Sequence, residues 1–461
     1  MTIAEARPFV PYAPKPLAKP AGRLKTLWLL ARNPLESWTE AHFEKPMLAG
    51  PSSLFGYTVV VNDPQAVRRV LVDNVANYER DPLQLRILKT GSTGGEGLFT
   101  ATGEAWRRTR RTLSPLFTPK RVAAFAPMMQ RLAQQRVERW LHRRPGAILE
   151  VDREMTGVTY DILSATLFSD AIAGDSAGFE RAMMQFLDAI GTIDPLDVFN
   201  APSWLPRVSA IRARESLAFF NKTTERMVKE RQAMIAADDN APDDLLTALL
   251  RASDPETGVG LSTEDVIANL LTFIVAGHET TSRALAWTLY LLSRSPHWRA
   301  EAEAEADAAS ADPGNWLDEM PVIRAVFEES MRLYPPAATL TRQAQEADRL
   351  GDVDVPKGAF MVISPYLLHR HHLLWERPDT FMPERFLPEA RDKIDRFAYL
   401  PFGGGQRVCI GMRFAMMEAI IVLATILRQA RLSLVEGQEP RPLQRITLRP
   451  DKRLVMHIHP R

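Results

Sequence analysis

The sequence predicts a mainly α-helical protein with a minor β region, and three observations support this. The longest helical pattern is apolar, runs from Thr263 to Arg294, and would span roughly 48 Å at 1.5 Å per residue. Helical patterns also dominate from Trp106 to about Leu250. Strand patterns, in contrast, are short and confined to residues 53–61, 352–363 and 453–460.

Composition and charge restrict the class of protein and its partners. The 461 residues are 46% hydrophobic and 25% charged, which is ordinary for a soluble globular chain with a large core. Because the formal net charge is +1, no overall attraction to nucleic acid is expected. The proline-rich start carries Glu5 and Arg7, which argues against a signal peptide, and no uncharged run approaches the ~18 residues of a membrane span. We therefore expect a cytoplasmic protein that begins with an extended arm.

The long central helix contains the least expected residues. Ser262 is a good N-cap, and Asp265 follows three residues later, as in a capping box. The helix is apolar nearly all round and should therefore pass through the core. Yet Gly277, Glu279 and Thr280 lie at its centre, where each is a poor choice for a buried helix. Such a violation indicates a functional position.

Cys409 is the only cysteine and lies in FGGGQRVCIG, residues 402–411. One cysteine makes no internal disulfide, so it is a small buried hydrophobe, a nucleophile or a single-thiolate metal ligand. The surrounding glycines let backbone approach a flat group closely, and an apolar helical pattern follows Gly411. The helix N-terminus and Arg407 both favour a thiolate. Without further cysteines for zinc or an iron–sulfur cluster, haem is the metal group that one protein thiolate suffices to bind.

This motif resembles the haem-binding signature of the cytochrome P450 family. Three further motifs occur in the family's order between Trp106 and Gly411, and we extend the resemblance to the whole chain. It implies the single-domain P450 fold, with haem between the long central helix and the helix after the cysteine loop. An N-terminal arm and first helix would cover residues 1–50, and the catalytic domain residues 51–461.

The resemblance also implies roles for the residues of the signature itself. Cys409 would be the axial ligand of the haem iron. Phe402, Gly403, Arg407 and Gly411 would contact the cofactor, with Arg407 on a propionate.

The motif EESMRLYPP resembles the family's Glu-x-x-Arg pair. Glu329 and Arg332 lie three residues apart and therefore share one helix face. From spacing alone, we would expect a surface ion pair that contributes little to stability. The resemblance instead implies a buried pair joined by Arg385 of the PERF segment, which supports the cysteine loop and takes no part in catalysis.

The motif AGHETT, residues 276–281, resembles the segment that crosses the oxygen-binding side of the haem in the family. Gly277 would leave room for dioxygen, Thr280 would supply a hydroxyl, and Glu279 would relay protons. The alternative for Thr280 is a bond back to its own helix. His278 is interpreted as a polar helix residue, because the sixth iron position must stay open.

The motif WRRTRR places Trp106 and Arg110 one turn apart, as in the family's Trp-x-x-x-Arg that binds a haem propionate. Arg342 would contact a propionate as well. The remaining arginines would form a cationic face on the cysteine side of the haem that attracts an acidic electron donor. Alternatively, they would merely pair with neighbouring carboxylates. These residues are Arg107, Arg108, Arg111 and Arg413.

The resemblance implies a monomeric haem-thiolate monooxygenase that binds haem b and uses dioxygen and two external electrons to hydroxylate a lipophilic small molecule. Since no G-x-G-x-x-G fingerprint follows a strand here, the donor is expected to be a separate ferredoxin with its reductase. Two rivals are a peroxide-dependent peroxygenase and a non-enzymatic haem sensor. Neither needs the acid–alcohol pair of Glu279 and Thr280.

By family position, the substrate pocket would be lined by apolar residues and roofed by residues 184–199. The lining residues are Leu98, Phe99, Phe273, Ala276, Ala338 and Leu340. A terpenoid, a fatty acid or an aromatic compound would fit, and the sequence does not choose among them.

Overall fold

A computed structural model of the chain describes residues 8–52, 54–82, 84–85, 97–169, 178, 182, 185, 207–237 and 240–461. In these ranges helix predominates, as the sequence predicts, and the strands form small sheets. None of the helices described is long and apolar enough to cross a bilayer.

The α-helices of the described ranges are, in chain order, α1 (Arg23–Arg32), α2 (Ala41–Glu44), α3 (Pro64–Arg68), α4 (Gly103–Leu113), α5 (Pro119–Ala124), α6 (Ala126–Leu141), α7 (Val151–Phe168), α8 (Val208–Ala236), α9 (Leu245–Arg251), α10 (Thr263–Ser293), α11 (Pro296–Asp307), α12 (Trp316–Glu319), α13 (Pro321–Leu333), α14 (Pro365–Leu368), α15 (Pro388–Arg391) and α16 (Met412–Gln429).

The strands are β1 (Met47–Ser52), β2 (Gly56–Val61), β3 (Tyr78–Glu79), β4 (Ala147–Glu150), β5 (Leu340–Ala344), β6 (Asp348–Leu350), β7 (Val353–Val355), β8 (Phe360–Ile363), β9 (Ala430–Leu434), β10 (Pro442–Gln444), β11 (Leu448–Pro450) and β12 (Val455–Pro460).

Side-chain caps fix where several helices begin. The Ser262 hydroxyl accepts the N–H of Asp265 at 3.1 Å, so α10 begins where the sequence predicts. Asp63 caps α3 in the same way, and Asp244 caps α9. The Ser364 hydroxyl accepts the N–H of Leu367 at 3.3 Å at the start of α14.

The largest sheet has the strand order β1-β2-β8-β5-β3. Its β1–β2 hairpin turns at Gly56, which has a φ of 69° that favours glycine. The predicted strand over 53–61 therefore begins only at Gly56. The predicted strand–turn–strand over 352–363 exists, but β7 pairs with β6 while β8 pairs with β2 and β5. The turn thus connects two sheets and does not close a hairpin.

The chain divides into two compact units, each built from separate segments. The first comprises Met1–Glu79, Ala126–Val158 and Thr280–Arg461, and the second comprises Arg80–Phe125 and Thr159–Glu279. Helix α10 contributes to both, because residues up to Glu279 belong to the second unit. The first unit contains all the strands named above, whereas helices dominate the second. The boundary predicted at residue 50 stays a prediction.

The hydrophobic core of the first unit lies under the largest sheet. Val59, Val61 and Met361 are fully buried there, and Leu71 and Leu400 pack against the same cluster. Helix α16 is buried from Met417 to Leu427. The cysteine loop approaches this core, since Gly404 lies close to Leu71 and Leu400, and it leads directly into α16.

Candidate active site

The cysteine loop has a shape that requires glycine. Gly403 and Gly405 have φ values of 74° and 67°, and a Cβ on Gly405 would overlap the carbonyl oxygen of Leu71. The N–H of Cys409 donates to the carbonyl oxygen of Phe402 at 2.9 Å. Cys409 itself is exposed, so the first of the three sequence interpretations, a buried hydrophobe, is wrong.

Helix α16 begins three residues after Cys409, and Gly411 is its N-cap. Its first backbone N–H groups and its dipole favour a negative charge on a nearby thiol. Because the helix is buried from Met417 onward, it provides a rigid base for the loop. An exposed thiol in this setting has the chemistry of a soft-metal ligand.

Glu329 and Arg332 of α13 form a bidentate ion pair with both side chains fully buried. Arg332 Nε lies 2.6 Å from Glu329 Oε2, and Nη2 lies 2.8 Å from Oε1. Arg385 is the third member, with its Nε 3.7 Å from Glu329 Oε1. Burial lowers the pKa of Arg385, and the Glu329 carboxylate opposes that shift. Glu329 also accepts the N–H of Met382 at 2.8 Å, so its charge is well compensated.

Arg332 also connects this pair to other segments of the same unit. Its Nη1 donates to the carbonyl oxygens of His369 at 2.7 Å and Pro378 at 2.6 Å, and its Nη2 donates to that of Thr380 at 3.0 Å. A planar guanidinium with five N–H donors can serve all these acceptors at once, which a lysine ammonium cannot.

His369 extends the connection to the cysteine loop. Its Nε2 accepts the backbone N–H of Leu400 at 2.7 Å, and the carbonyl oxygen of Leu400 accepts the N–H of Gly403 at 3.1 Å. Burial, with a contribution from the Arg332 charge, lowers the pKa of His369 to about 3, so the ring stays neutral. Sequence reasoning missed this residue, because a histidine in HRHH has no feature that distinguishes it.

Arg342 and Arg407 place two positive charges in one region of the first unit. Arg342 is buried on β5, and Arg407 is half-buried in the short turn before Cys409. Burial and the nearby charge of Arg342 lower the pKa of Arg407 to about 10. The negative charge of Glu79 acts in the opposite direction and raises that pKa. Neighbouring cations of this kind favour an anionic group between them. Together with the exposed thiol, they match the donors that a haem with its propionates requires.

The centre of α10 is unevenly exposed. Ala276 is exposed and Thr280, one turn later, is half-buried, so one side of the helix is accessible there. Glu279 is buried, with 6% of its surface exposed. His278 is also buried, and its ring packs edge-on against Tyr160 of α7 at 6.1 Å. That contact agrees with its interpretation as a helix residue.

Gly277 has a packing reason to be glycine. A Cβ at this position would lie 3.2 Å from Cδ1 of Leu163 on α7, closer than side chains usually approach. Both residues belong to the second unit. Close approach of α7 therefore accounts for Gly277 in addition to any role in binding oxygen.

Helix α4 carries Trp106 and Arg110 on one side, with Trp106 buried and Arg110 half-buried. The other arginines are paired with carboxylates. Arg111 forms two bonds to Asp254, of 2.9 and 3.1 Å, and Asp254 is fully buried. The Arg111 guanidinium lowers the pKa of Asp254 to about 2.

Weaker pairs engage the rest of the predicted cationic face. Arg107 lies 3.2 Å from Glu104, Arg108 lies 3.6 Å from Asp265, and Arg413 lies 3.6 Å from Asp318. Each of the four arginines thus lies within 4.0 Å of a carboxylate, and their predicted part in donor docking stays a prediction. Arg111 in particular holds the loop around Asp254 in place and does not present an uncompensated charge.

The predicted pocket residues are divided between the two units. In the second, the N–H of Leu98 donates to Asn269 Oδ1 at 2.8 Å, Phe99 is 41% exposed, and Phe273 packs edge-on against Phe117 at 5.3 Å.

In the first unit, Ala338 is buried and its carbonyl oxygen accepts the Ser364 hydroxyl at 2.8 Å. Leu340 packs against the core under the largest sheet. The predicted roof, residues 184–199, falls in a stretch of which only residue 185 is among the described residues.

Glu418 is a further buried acid that the sequence interpretation omitted. It lies on α16, and burial raises its pKa well above the usual range while a hydrogen bond with Thr281 of α10 opposes the shift. Both residues belong to the first unit. The signal was visible, since Glu418 is the sole acidic residue of α16 and lies in its apolar central part.

Comparison with known proteins places this geometry in a family. Residues 53–457 match the sequence model described as Cytochrome P450. "Cyclooctatin synthase" of Streptomyces melanosporofaciens is 33% identical, over 91% of this chain and 90% of its own length. "Pentalenene oxygenase" of Streptomyces avermitilis is 28% identical over 94% of both chains. "Cyclooctat-9-en-7-ol 5-monooxygenase" of S. melanosporofaciens is 32% identical over 81% of this chain and 80% of its own.

Other relatives are longer than this chain. The "Bifunctional cytochrome P450/NADPH--P450 reductase 2" of Bacillus subtilis is 33% identical over 79% of this chain but only 35% of its own length. Among solved structures, the cytochrome P450DA heme domain aligns with a TM-score of 0.78 at 27% identity, covering 90% of each chain. A mutant of that domain aligns with a TM-score of 0.82 over 98% of each chain, also at 27% identity.

Proposed function

The chain belongs to the cytochrome P450 monooxygenase family, and from that premise we propose that it hydroxylates a lipophilic small molecule with dioxygen and two electrons from a separate ferredoxin. The family binds haem, and haem b is the proposed form. The observation that carries the proposal is the exposed Cys409 thiol on a loop of glycine-dependent shape.

Haem binding would draw on side chains of both units. Cys409 would supply the axial thiolate, and Arg342 and Arg407 would pair with propionates, which relieves the repulsion between the two guanidinium groups. Trp106 and Arg110 would contribute from α4. When bound, haem supplies the redox-active metal at which dioxygen is activated.

Proton delivery would be the task of α10. Hydroxylation consumes dioxygen, two electrons and two protons, and yields one hydroxyl group on the substrate and one water. Glu279 would supply protons and the Thr280 hydroxyl would pass them on, since an acid and an alcohol stand side by side on the helix. The accessible side of α10 at Ala276 and Thr280 supports this assignment. A peroxygenase or a haem sensor would not require the pair.

A separate donor is proposed as the resemblance implies, whereas relatives such as the B. subtilis enzyme are named as fusions with a reductase. A ferredoxin is the donor class proposed. Since Arg111 donates two hydrogen bonds to Asp254, docking of the ferredoxin would depend on other charged residues.

The substrate class rests on apolar residues and on the relatives' names. Residues such as Leu98, Phe273 and Ala338 offer no charge to a substrate. Two relatives are named for oxidising cyclooctat-9-en-7-ol and pentalenene, so cyclic alkenes and their alcohols are the first compounds to test.

The test is spectroscopic and then chemical. The reduced carbon-monoxide complex of the parent should show the strongly red-shifted band of thiolate-bound haem, and Cys409→Ser should lose that band or fail to retain haem. Gln406→Ala, an exposed residue of the same loop, is the matched control and should keep it. A Cys409→Ser variant with the band intact would overturn axial ligation.

Turnover distinguishes the alternatives. Spin-state titration against cyclic alkenes would identify a substrate, and hydroxylated product should then require ferredoxin, its reductase and dioxygen. Product formed equally well from hydrogen peroxide alone would favour the peroxygenase. Haem binding without product from any donor would favour the sensor.

A further inference from the structure

The N-terminal segment carries a local excess of positive charge that the whole chain lacks. Between Arg7 and Glu36 there is no acidic residue, although the complete chain has 57 basic and 56 acidic residues. The five basic residues of this segment are Lys15, Lys19, Arg23, Lys25 and Arg32. All five are exposed. In the part of the chain that the structure describes, Arg32 alone among them has a carboxylate within 4.0 Å, Glu36 at 3.9 Å.

Helix α1 adds exposed apolar groups to the same segment. Leu24 and Trp28 are 83% and 54% exposed, and as residues one turn apart they lie on the same side of the helix. The inward side is occupied by Leu29, which is 4% exposed. The Arg32 guanidinium lies 5.0 Å from the centre of the Trp28 ring. Single exposed apolar residues are common on protein surfaces, but a tryptophan and a leucine in a segment with five exposed basic residues and no acidic one are a specific combination.

The segment is held at both ends, so its exposed residues cannot turn inward without breaking hydrogen bonds. Before α1, the carbonyl oxygen of Tyr12 accepts the hydroxyl of Tyr334 at 2.9 Å. After α1, Asn33 Nδ2 donates to the carbonyl oxygen of Pro442 at 3.0 Å, and Asn33 Oδ1 accepts the N–H of Gln444 at 3.1 Å. All these residues belong to the first unit. The outward presentation of α1 is therefore built into the fold.

We propose that residues 15–32, the N-terminal cationic face, bind the surface of an anionic phospholipid bilayer. Lysine and arginine would lie among the headgroups, while Leu24 and Trp28 would enter the boundary between headgroups and acyl chains. Tryptophan suits this boundary because its ring is apolar and its N–H is polar. The proposal does not depend on the proposed activity.

Other occupants fit this face less well. A second copy of the chain would bring five cations against five cations, which disfavours self-association. An acidic protein would match the charge, but the exposed Leu24 and Trp28 call for an apolar environment as well, which a bilayer supplies. A bilayer matches both the charge and the apolar stripe.

The test is co-sedimentation with vesicles. We expect the full chain to bind vesicles of phosphatidylcholine mixed with phosphatidylglycerol, to bind phosphatidylcholine alone far more weakly, and to be released by salt. Lys19→Glu with Lys25→Glu should weaken binding by more than about tenfold, since each basic residue near such a surface contributes about fivefold. Leu24→Ser with Trp28→Ser should weaken binding to the mixed vesicles at low salt, although it leaves every charge in place. Ile148→Ser, which replaces a 56% exposed isoleucine on β4, is the control and should bind like the parent.

Several results would overturn the proposal. Absence of binding to the mixed vesicles, equal binding to both vesicle types, or parent-like binding by the two double variants would each do so. A dimer seen in analytical ultracentrifugation that the double variants lose would assign the N-terminal cationic face to self-association. Unchanged melting temperatures ensure that a loss of binding reports on the surface and not on folding.

Discussion

The backbone N–H of Leu400 donates to Nε2 of His369 at 2.7 Å. The carbonyl oxygen of the same histidine accepts Nη1 of Arg332 at 2.7 Å. One residue thus joins the buried Glu329–Arg332 pair to the segment that precedes the cysteine loop. Since Nε2 acts as an acceptor, the imidazole must be neutral, and its pKa of about 3 keeps it so.

His369→Phe should weaken the support of the cysteine loop, because it leaves the buried N–H of Leu400 without an acceptor. An unsatisfied buried donor costs about 1–3 kcal/mol. We expect a lower melting temperature and, in the haem-free protein, faster reaction of Cys409 with a thiol reagent. Because Cys409 is the only cysteine, that reaction reports on the loop alone.

His369→Gln is the matched control, because its side-chain oxygen can accept the same hydrogen bond and should restore the parent's rate of thiol reaction. A second readout is pH. The pKa of His369 in the folded protein, about 3, lies below the unfolded value of 6.5, so protons favour the unfolded chain. The stability advantage of the parent over His369→Phe should therefore be complete above about pH 6.5 and shrink as the pH falls toward 3. A constant difference would contradict the assignment.

The sequence predicts what depends on local pattern. The cap at Ser262 and the length of α10 follow from residues within a few positions of one another, and the glycines around Cys409 predict the unusual loop. Pairing between distant segments is not predictable in this way. The two strands over 352–363 join different sheets because their partners lie elsewhere in the chain.

The same limit applies to side chains. His369 acts through Leu400, thirty-one positions later, and Arg111 through Asp254, which follows it by 143 positions. Neither partner is signalled by sequence spacing. The Glu329–Arg332 contact itself is local, but its burial depends on backbone carbonyls up to forty-eight positions away.

Arg332→Lys should be strongly destabilising although it keeps the charge. Lysine cannot reproduce the two bonds to Glu329 and also reach the carbonyl oxygens of His369 and Thr380. Breaking a buried ion pair costs about 3–5 kcal/mol, so we expect a large fall in the urea midpoint and poor haem retention.

The control is Arg391→Lys, whose partner Glu328 lies at 3.0 Å in a partly exposed pair. Its urea midpoint should change little. An equal fall of the urea midpoint in the two variants would show that burial does not determine how much the Glu329–Arg332 pair contributes to stability.

Arg111→Ala should lower the melting temperature, whereas Arg107→Ala, which removes an exposed pair with Glu104, should not. Arg111 lowers the pKa of Asp254 to about 2, below the unfolded value of about 3.9. The stability from this contact is therefore present above about pH 4 and is lost as the pH falls through 2. Thermal melts at several pH values test this, and a parent-like melt at pH 7 would leave Arg111 free to act in donor docking.

Thr280→Ala should leave substrate binding nearly unchanged and divert electrons from product to peroxide. Thr280 is half-buried on the accessible side of α10 next to the buried Glu279, so its hydroxyl is placed to pass protons, and a methyl group cannot. The measurement is product formed per reductant consumed, which should fall severalfold, while spin-state titration gives the same affinity.

Thr288→Ala is the matched control on the same helix, because the Thr288 hydroxyl bonds back to the carbonyl oxygen of Ala284 at 2.7 Å. Its coupling should remain that of the parent. If Thr280→Ala also stays fully coupled, the hydroxyl of Thr280 serves only the helix, and protons reach the oxygen by a route that does not include it.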